Sequence, residues 1–249
     1  MNCTILLIVR TNSKRLSKKI FLKIKQKPLI KILIDRLNNS LKTSDIIVCT
    51  TKNKTDDDLV KYLEMYKIKI FRGSEKDIIK RIKDCAEKFH LKKFVIVEGD
   101  DLFCDHELII KTCDIINKNN VDFVAWNNVP FGSSPVALSY EALKKLVIQK
   151  SISITETGWI KFIFDSGIFK TKTLIPKNKK LHRPDIRLSI DYREDFILAK
   201  KLYQILPDEF NLGDIVDIFE NNISLLKINE SVKIKYAKNF EKKMIRSKK

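Results

Sequence analysis

Phe94-Val95-Ile96-Val97 and the Glu98-Gly99-Asp100-Asp101 that follows it form the stretch from which the architecture can be read. Two valines and an isoleucine behind a phenylalanine predict a short strand buried on both faces, as strands of a parallel sheet are. The strand runs straight into a carboxylate-rich turn. In open parallel sheets ligands bind just beyond the carboxyl ends of the strands. Acids placed there, after a flexible glycine, suit a hard oxygen-liganded cation such as Mg2+. The same residues would also serve as a solvated turn opening the next helix, so the rest of the chain must decide.

Working outward, the segment before this strand repeats one rhythm. Thr4 to Val9 is an apolar run and the first strand, and Arg10 to Lys19 is a basic loop rich in hydroxyl and amide side chains. Such a loop after a buried strand can present N–H groups and cations to phosphates. It holds neither a Walker A spacing nor a dinucleotide glycine fingerprint. Pro28 opens an amphipathic helix to about Leu37, and Asp45–Thr50 reads as the second strand. Thr55-Asp56-Asp57-Asp58 reads as the cap of the next helix, because aspartates at a helix N-terminus are favourable without any ion.

Ile68–Phe71 is the third strand, Glu75–Phe89 a helix, Glu107–Asn117 another, and Val121–Trp126 a further strand. Strand and helix alternate through the whole first half, which predicts an α/β fold with a mostly parallel, doubly wound sheet and helices on both faces. After Trp126 the rhythm changes. Pro130–Pro135 is turn-rich, a strand at Val136–Leu138 precedes a helix from Ser139 to about Ile148, and residues 151–183 are mixed and aromatic. The region 127–185 reads as an insertion over the sheet's carboxyl edge or at a subunit contact. Arg187–Asp191 reads as a short strand ending in a carboxylate, and Glu194 and Asp195 open a helix. The main body is taken as one domain over residues 1–237, with 238–249 a basic flexible tail.

Composition narrows the class. With 249 residues, 44% of them hydrophobic and 32% charged, the chain can bury a core without disulfides. No run approaches the roughly 18 apolar residues of a membrane helix, and the first residues read as a strand, not a signal peptide. The cysteines Cys3, Cys49, Cys85, Cys104 and Cys113 are odd in number and lack a Cys-x-x-Cys pair, which reads as reduced, buried thiols in a cytoplasm. The formal net charge is +18, yet only nine of the 49 basic residues are arginine. Phosphate and base recognition draws on Arg forks, so diffuse lysine fits a solvated surface better than a nucleic-acid groove.

Several of these segments resemble one family. Arg10-Thr11-Asn12-Ser13-Lys14-Arg15-Leu16, with Lys19 and then Lys27-Pro28-Leu29-Ile30, resembles the opening of the CMP-sugar synthetases, the acylneuraminate and 3-deoxy-manno-octulosonate cytidylyltransferases. It is most similar to the spore-coat polysaccharide synthesis type. Cys49-Thr50-Thr51, Phe71-Arg72-Gly73-Ser74-Glu75, Glu98-Gly99-Asp100 and Arg187-Leu188-Ser189-Ile190-Asp191-Tyr192-Arg193-Glu194-Asp195 agree with it in order, over about residues 3 to 205.

The resemblance implies a nucleotidyltransferase fold, Mg2+, and attack by an acceptor oxygen on the α-phosphorus of CTP. Asp100 and Asp191 would be the metal carboxylates, and Lys19, Arg10 and Asp100 the catalytic set. Nucleotide binding would fall on Arg10, Thr11, Asn12, Ser13, Arg15 and Lys19. Thr50, Arg72, Ser74 and Asp100 would complete it. Gly132, Ser133, Arg183 and Arg187 are candidates for an anionic acceptor. The family's first-loop glycine is Asn12 here, which could keep the turn by adopting a left-handed backbone. Its Pro-Gly is Ser17-Lys18, which leaves Lys18 and Lys19 both open as the phosphate lysine.

The reading is a cytoplasmic, homodimeric enzyme making a CMP-sugar for surface glycans. A phosphonate or phosphate acceptor is the alternative within the same chemistry. A nucleic-acid-binding protein on a degenerate scaffold is the alternative outside it.

Overall fold

The computed structural model describes residues 3–39, 45–149 and 159–246. Strand β1 (Ile5–Ile8) leads through a small hairpin, β2 (Lys23–Ile24) and β3 (Lys27–Pro28), into helix α1 (Leu29–Asn38). The alternation continues as β4 (Ile46–Thr51), α2 (Asp57–Glu64), β5 (Lys69–Gly73), α3 (Ile78–Lys88), β6 (Lys93–Glu98), α4 (His106–Lys118) and β7 (Phe123–Trp126). The second half adds β8 (Val136–Ser139), α5 (Tyr140–Gln149), α6 (Trp159–Ser166), β9 (Thr171–Leu174), α7 (Arg193–Ile205), α8 (Leu212–Asn221) and α9 (Glu230–Arg246).

Among the described residues, seven strands form one sheet in the order β5-β4-β1-β6-β8-β7-β9. Among the described residues only β8 runs against the others in it, paired antiparallel with both β6 and β7. The strands alternate their side chains between two cores, as the period of an extended chain requires. Ile5 and Leu7 of β1 pack with α1, α2, α4, α7 and α8, while Leu6 and Ile8 pack with α3, α5 and α6. The doubly wound, mostly parallel α/β sheet expected from the rhythm is present.

Strand order places the site. From β1 the chain steps outward to β4 and β5, then returns to β6 on the other side of β1. Beyond the carboxyl ends of β1 and β6 the connections therefore diverge and leave a crevice between them. Gly99 makes this close approach passable: a Cβ there would lie 2.7 Å from Val9 Cγ2 and 3.2 Å from the Ile8 carbonyl oxygen.

Four expectations are corrected. Arg187–Asp191 is not a sheet strand. It lies beyond the strand ends, with one parallel bridge from Arg187 to Phe131 and a hydrogen bond from Ile190 N to Asp100 O at 2.9 Å, so it has no full neighbour to ladder with. Cys3 and Cys113 form a disulfide with Cα atoms 5.9 Å apart, while Cys49, Cys85 and Cys104 are free and buried. Cys3 lies just before β1 and Cys113 on α4, a proximity their 110-residue separation hides.

Residues 238–246, read as a tail, continue helix α9. Asp56 stands at the N-cap of α2 with Asp57 and Asp58 in the first turn, as expected, but its side chain makes no capping bond there. It is fully buried, and its carboxylate accepts from Thr11 N at 2.7 Å, Thr50 Oγ1 at 2.8 Å and Thr51 N at 3.1 Å. It ties the start of the basic loop to the end of β4.

Candidate active site

A cavity of about 1360 Å3 opens beyond the carboxyl ends of β1 and β6. One arm is lined by Arg10, Asn12, Ser13 and Lys14 of the loop after β1 and by Glu75, Lys76 and Arg81 at the start of α3. Its floor is Glu98, Gly99, Asp100 and Asp101, the turn that ends β6. The other arm has a different character. Trp126, Asn127 and Phe131 follow β7, Trp159 and Lys161 come from α6, and Tyr236, Asn239 and Phe240 from α9. A cationic arm meets an aromatic, amide-bearing arm over a carboxylate floor.

Lys19 sits at the junction. Its Nζ donates to Asp100 Oδ2 at 2.8 Å, to the Ile190 carbonyl at 2.8 Å and to Asp191 Oδ1 at 3.2 Å. Two aspartates separated by 91 residues of chain are thus held by one ammonium. Arg15 also donates to Asp191 Oδ1, and Arg187 Nη2 reaches its other oxygen at 3.0 Å. Burial would raise the Asp191 carboxyl, but the charges of Lys19, Arg15 and Arg187 outweigh it and hold it at about 2. Burial likewise opposes the Lys19 ammonium, and the charges of Asp100 and Asp191 win, raising it above its ordinary value.

The floor carries further acids. Burial and the Asp100 charge push Glu98 up to about 7, against a hydrogen bond from Trp159 Nε1 at 3.1 Å. Burial and the charges of Asp100 and Glu98 push Asp101 well above the carboxylate range.

The Asp191 segment is braced from behind. Arg187, 4% exposed, donates through Nε to Asp195 Oδ1 at 3.0 Å, and Asp195 Oδ2 accepts from Asp191 N and Tyr192 N at 3.0 Å each. Asn229 Nδ2 donates to Asp195 Oδ1 at 2.9 Å and to the Arg187 carbonyl at 3.1 Å. Gly132, at φ +88°, lies so close to this segment that a Cβ would stand 2.4 Å from Ser189 N.

The structure brings together Arg10, Asn12, Ser13, Arg15, Lys19, Asp100, Asp191 and Gly132 on the cavity. Other predicted residues have structural duties instead. Thr11 and Thr50 are buried and engage Asp56. Arg72 donates to the carbonyls of Thr51 and Asn53, both at 2.9 Å, and pairs with Asp57 at 2.7 Å, which braces β4. Ser74 accepts from Asp77 N at 3.2 Å at the entry to α3.

Of the acceptor candidates, Ser133 is buried with its hydroxyl on the Pro130 carbonyl, Arg183 forks onto Asp185 and lies off the cavity, and Arg187 serves Asp191 and Asp195. The left-handed residue of the loop is Lys18 at φ 47°, and Asn12 is not among the positive-φ residues. Lys18 is exposed and off the cavity, whereas Lys19 lines it.

Sequence reasoning missed Arg81 and α9. Arg81 is 3% exposed on the buried face of α3 among Ile78, Ile82 and Cys85, and a charge at a core position of an amphipathic helix was a readable signal. Asn239 and Phe240 lay in the presumed tail, and Tyr236 just before it. Tyr236 stacks edgewise on Phe131 at 5.5 Å and lies beneath the guanidinium groups of Arg187 and Arg15 at 4.7 and 5.6 Å.

Asp100 and Asp191 could hold a divalent cation. No three His, Cys, Asp or Glu side chains form a ready-made cage among the described residues. Mg2+ needs none, since it keeps waters and takes substrate phosphates beside one or two carboxylates. Hard oxygens facing a cavity, already gathered around one positive charge, are a donor set of that kind.

Comparison with known proteins agrees with this geometry. The sequence model of a family described as Cytidylyltransferase matches residues 4–227. The uncharacterized protein MJ1063 of Methanocaldococcus jannaschii is 33% identical over 238 residues, covering 93% of this chain and 96% of that protein. Spore coat polysaccharide biosynthesis protein SpsF of Bacillus subtilis is 23% identical over 205 residues, covering 78% and 83%. A cytidylyltransferase structure from Leptospira borgpetersenii superposes with a TM-score of 0.81 at 22% identity, covering 91% of this chain and 97% of that one. The structure of a CMP:2-keto-3-deoxy-manno-octonic acid synthetase complexed with CTP superposes at 0.60 and 12% identity, over 83% and 100%. Among the described residues no helix is long and apolar enough to cross a membrane. Helix α9 lies outside the residues matched to the family.

Proposed function

This chain belongs to the cytidylyltransferase family, and from that premise we propose that it makes a CMP-sugar from CTP and a sugar acid in the cytoplasm, for surface-glycan synthesis. The acceptor hydroxyl releases its proton to solvent as its oxygen forms a bond to the α-phosphorus of CTP, the bond from that phosphorus to the bridging oxygen breaks, and pyrophosphate leaves. The observation that carries the reading is Lys19 holding Asp100 and Asp191 together where the loop after β1 meets the end of β6.

In this reading the triphosphate lies along the cationic arm. Arg10, Arg15 and Lys19 offset its charge, and Asn12 and Ser13 supply hydrogen bonds. Cations placed against charge that grows on the departing phosphates stabilise the transition state. Asp100 and Asp191 hold Mg2+, which when bound supplies Lewis-acid stabilisation of the phosphoryl oxygens. The acceptor sits in the other arm, where Trp126, Trp159 and Tyr236 offer apolar faces to a sugar ring and Asn127 and Asn239 offer amides to its hydroxyls. Lys161 brings a cation to that wall for the acid group.

A homodimer is part of the proposal. β9 is the sheet's edge strand, and Phe164, Ile168 and Ile175 around it are 45%, 47% and 53% exposed. Light scattering of the purified chain tests it.

The chemistry is tested by incubating the chain with CTP, Mg2+ and a panel of sugar acids, phosphonates and phosphate esters. Pyrophosphate release and the mass of the product are read together. A CMP adduct of a sugar acid is the expected product. An adduct of a phosphonate or phosphate ester alone would move the acceptor class, and nucleotide consumption without any adduct would overturn the proposal.

A further inference from the structure

We propose that Lys19 gates the carboxylate pair: without nucleotide its ammonium occupies Asp100 and Asp191 in competition with a divalent cation, and the triphosphate draws it away so that metal enters together with CTP. The inference rests on the proposed role of Asp100 and Asp191 as metal carboxylates.

An ammonium has three donors and no acceptor, and all three are used: on Asp100 Oδ2, on the Ile190 carbonyl and on Asp191 Oδ1. Asp191 has no oxygen left to itself, since Arg15 shares Oδ1 and Arg187 holds Oδ2. Lys19, Arg15 and Arg187 pair directly with Asp100, Asp191 and Asp195, beside Glu98 and Asp101 of the floor. A lone divalent ion entering this cluster meets like charge at the very oxygens it needs.

The cations differ in freedom. Arg187 is clamped by Asp195, whose other contacts include Asn229 and two backbone N–H groups. Lys19 ends a flexible four-carbon stem and lines the cavity beside Arg10, Ser13 and Lys14. An arriving polyphosphate gives the ammonium new acceptors in that arm, and its move releases Asp100 Oδ2 and removes one of the two cations on Asp191 Oδ1. Metal and nucleotide affinities are then coupled in both directions.

The probe is Mn2+ alone, with free ion read by electron paramagnetic resonance and the protein by thermal melting. Wild type is compared with Lys19→Met, Lys19→Gln, and Lys19→Met combined with Asp100→Asn. Without nucleotide, the two neutral variants should take up Mn2+ about 10- to 100-fold more tightly than wild type, the usual range of such couplings. Mn2+ alone should raise their melting temperatures more than that of wild type. Adding Asp100→Asn to Lys19→Met should remove the gain.

Neutral variants that bind Mn2+ no better than wild type overturn the gate and leave the carboxylate assignment standing. Asp100→Asn and Asp191→Asn chains that take up Mn2+ normally in the presence of CTP overturn that assignment, and the gate with it. The melting comparison covers a variant that folds less well, because rescue by Mn2+ is measured within each variant.

Discussion

Asp56 and Asp191 are both buried aspartates beyond strand ends, and both titrate below the ordinary carboxylate range, yet they are held in opposite ways. Around Asp56 the donors are the hydroxyls of Thr50 and Thr51 and the backbone N–H groups of Thr11 and Thr51. Burial works to raise Asp56, and hydrogen bonds led by that of Thr51 overcome it. Around Asp191 the donors are three cations, two of them on long stems in an open cavity. Neutral donors on short side chains and the backbone cannot leave for a ligand. Cations on flexible stems can be traded for phosphate. The first aspartate therefore shapes the basic loop, and the second shares in what the loop does.

Arg187→Met presses the comparison hardest. Removing the cation leaves Asp195 buried without its ion-pair partner and takes one of three cations from Asp191, a loss of about 3–5 kcal/mol in stability, readable by chemical denaturation. A loss below about 1 kcal/mol would mean that the brace behind Asp191 is not structural. Asp56→Ala comes next, at about 2–4 kcal/mol, because several buried donors lose their acceptor at once. Its turnover per folded molecule should stay near that of wild type.

A pH titration sharpens the same contrast. The folded Asp56 carboxyl titrates below its ordinary 3.8, so its contribution is full above that pH and is lost as pH falls through the lower folded value. Asp56→Asn should flatten the acid limb of stability below about pH 4. An unchanged limb would show that the threonine bonds do not favour the ionised form.

These residues also show what the sequence could reveal. Strands β1, β4 and β6 are fully or largely buried apolar runs, so their existence, order and parallel sense were readable from rhythm alone. The meeting of Asp100 and Asp191 is a long-range fact. It was reachable only through ordered family motifs, and the structure bears out their proximity. Motif matching did not reveal the scaffold partners of several polar residues: carbonyls of the β4 end for Arg72, Asp191 for Arg187, Asp56 for Thr50. Type and spacing give no sign of which partner a cation will choose. α9 was missed because a lysine-rich end looks solvated, although Tyr236, Asn239 and Phe240 repeat at helical spacing and reach the cavity.

The smallest effect concerns Lys18. A non-glycine residue at φ 47° is strained, and its side chain points to solvent. Lys18→Gly should stabilise the chain by about 0.5–1 kcal/mol, relief of the left-handed strain exceeding the added freedom of the unfolded state. Activity should not change. A loss of nucleotide affinity would instead give Lys18 a place beside Lys19.

The central claim is that Asp100 and Asp191 work as one pair in the reaction while Asp56 only shapes its surroundings. Pyrophosphate release from CTP and Mg2+, with the sugar acid that sustains it, should be compared across Asp100→Asn, Asp191→Asn and Asp56→Asn chains matched for folded protein. The first two should each lose about 10²-fold or more in turnover, as when a key transition-state stabiliser is removed, with Asp56→Asn close to wild type. Turnover in Asp191→Asn equal to that in Asp56→Asn would contradict the account.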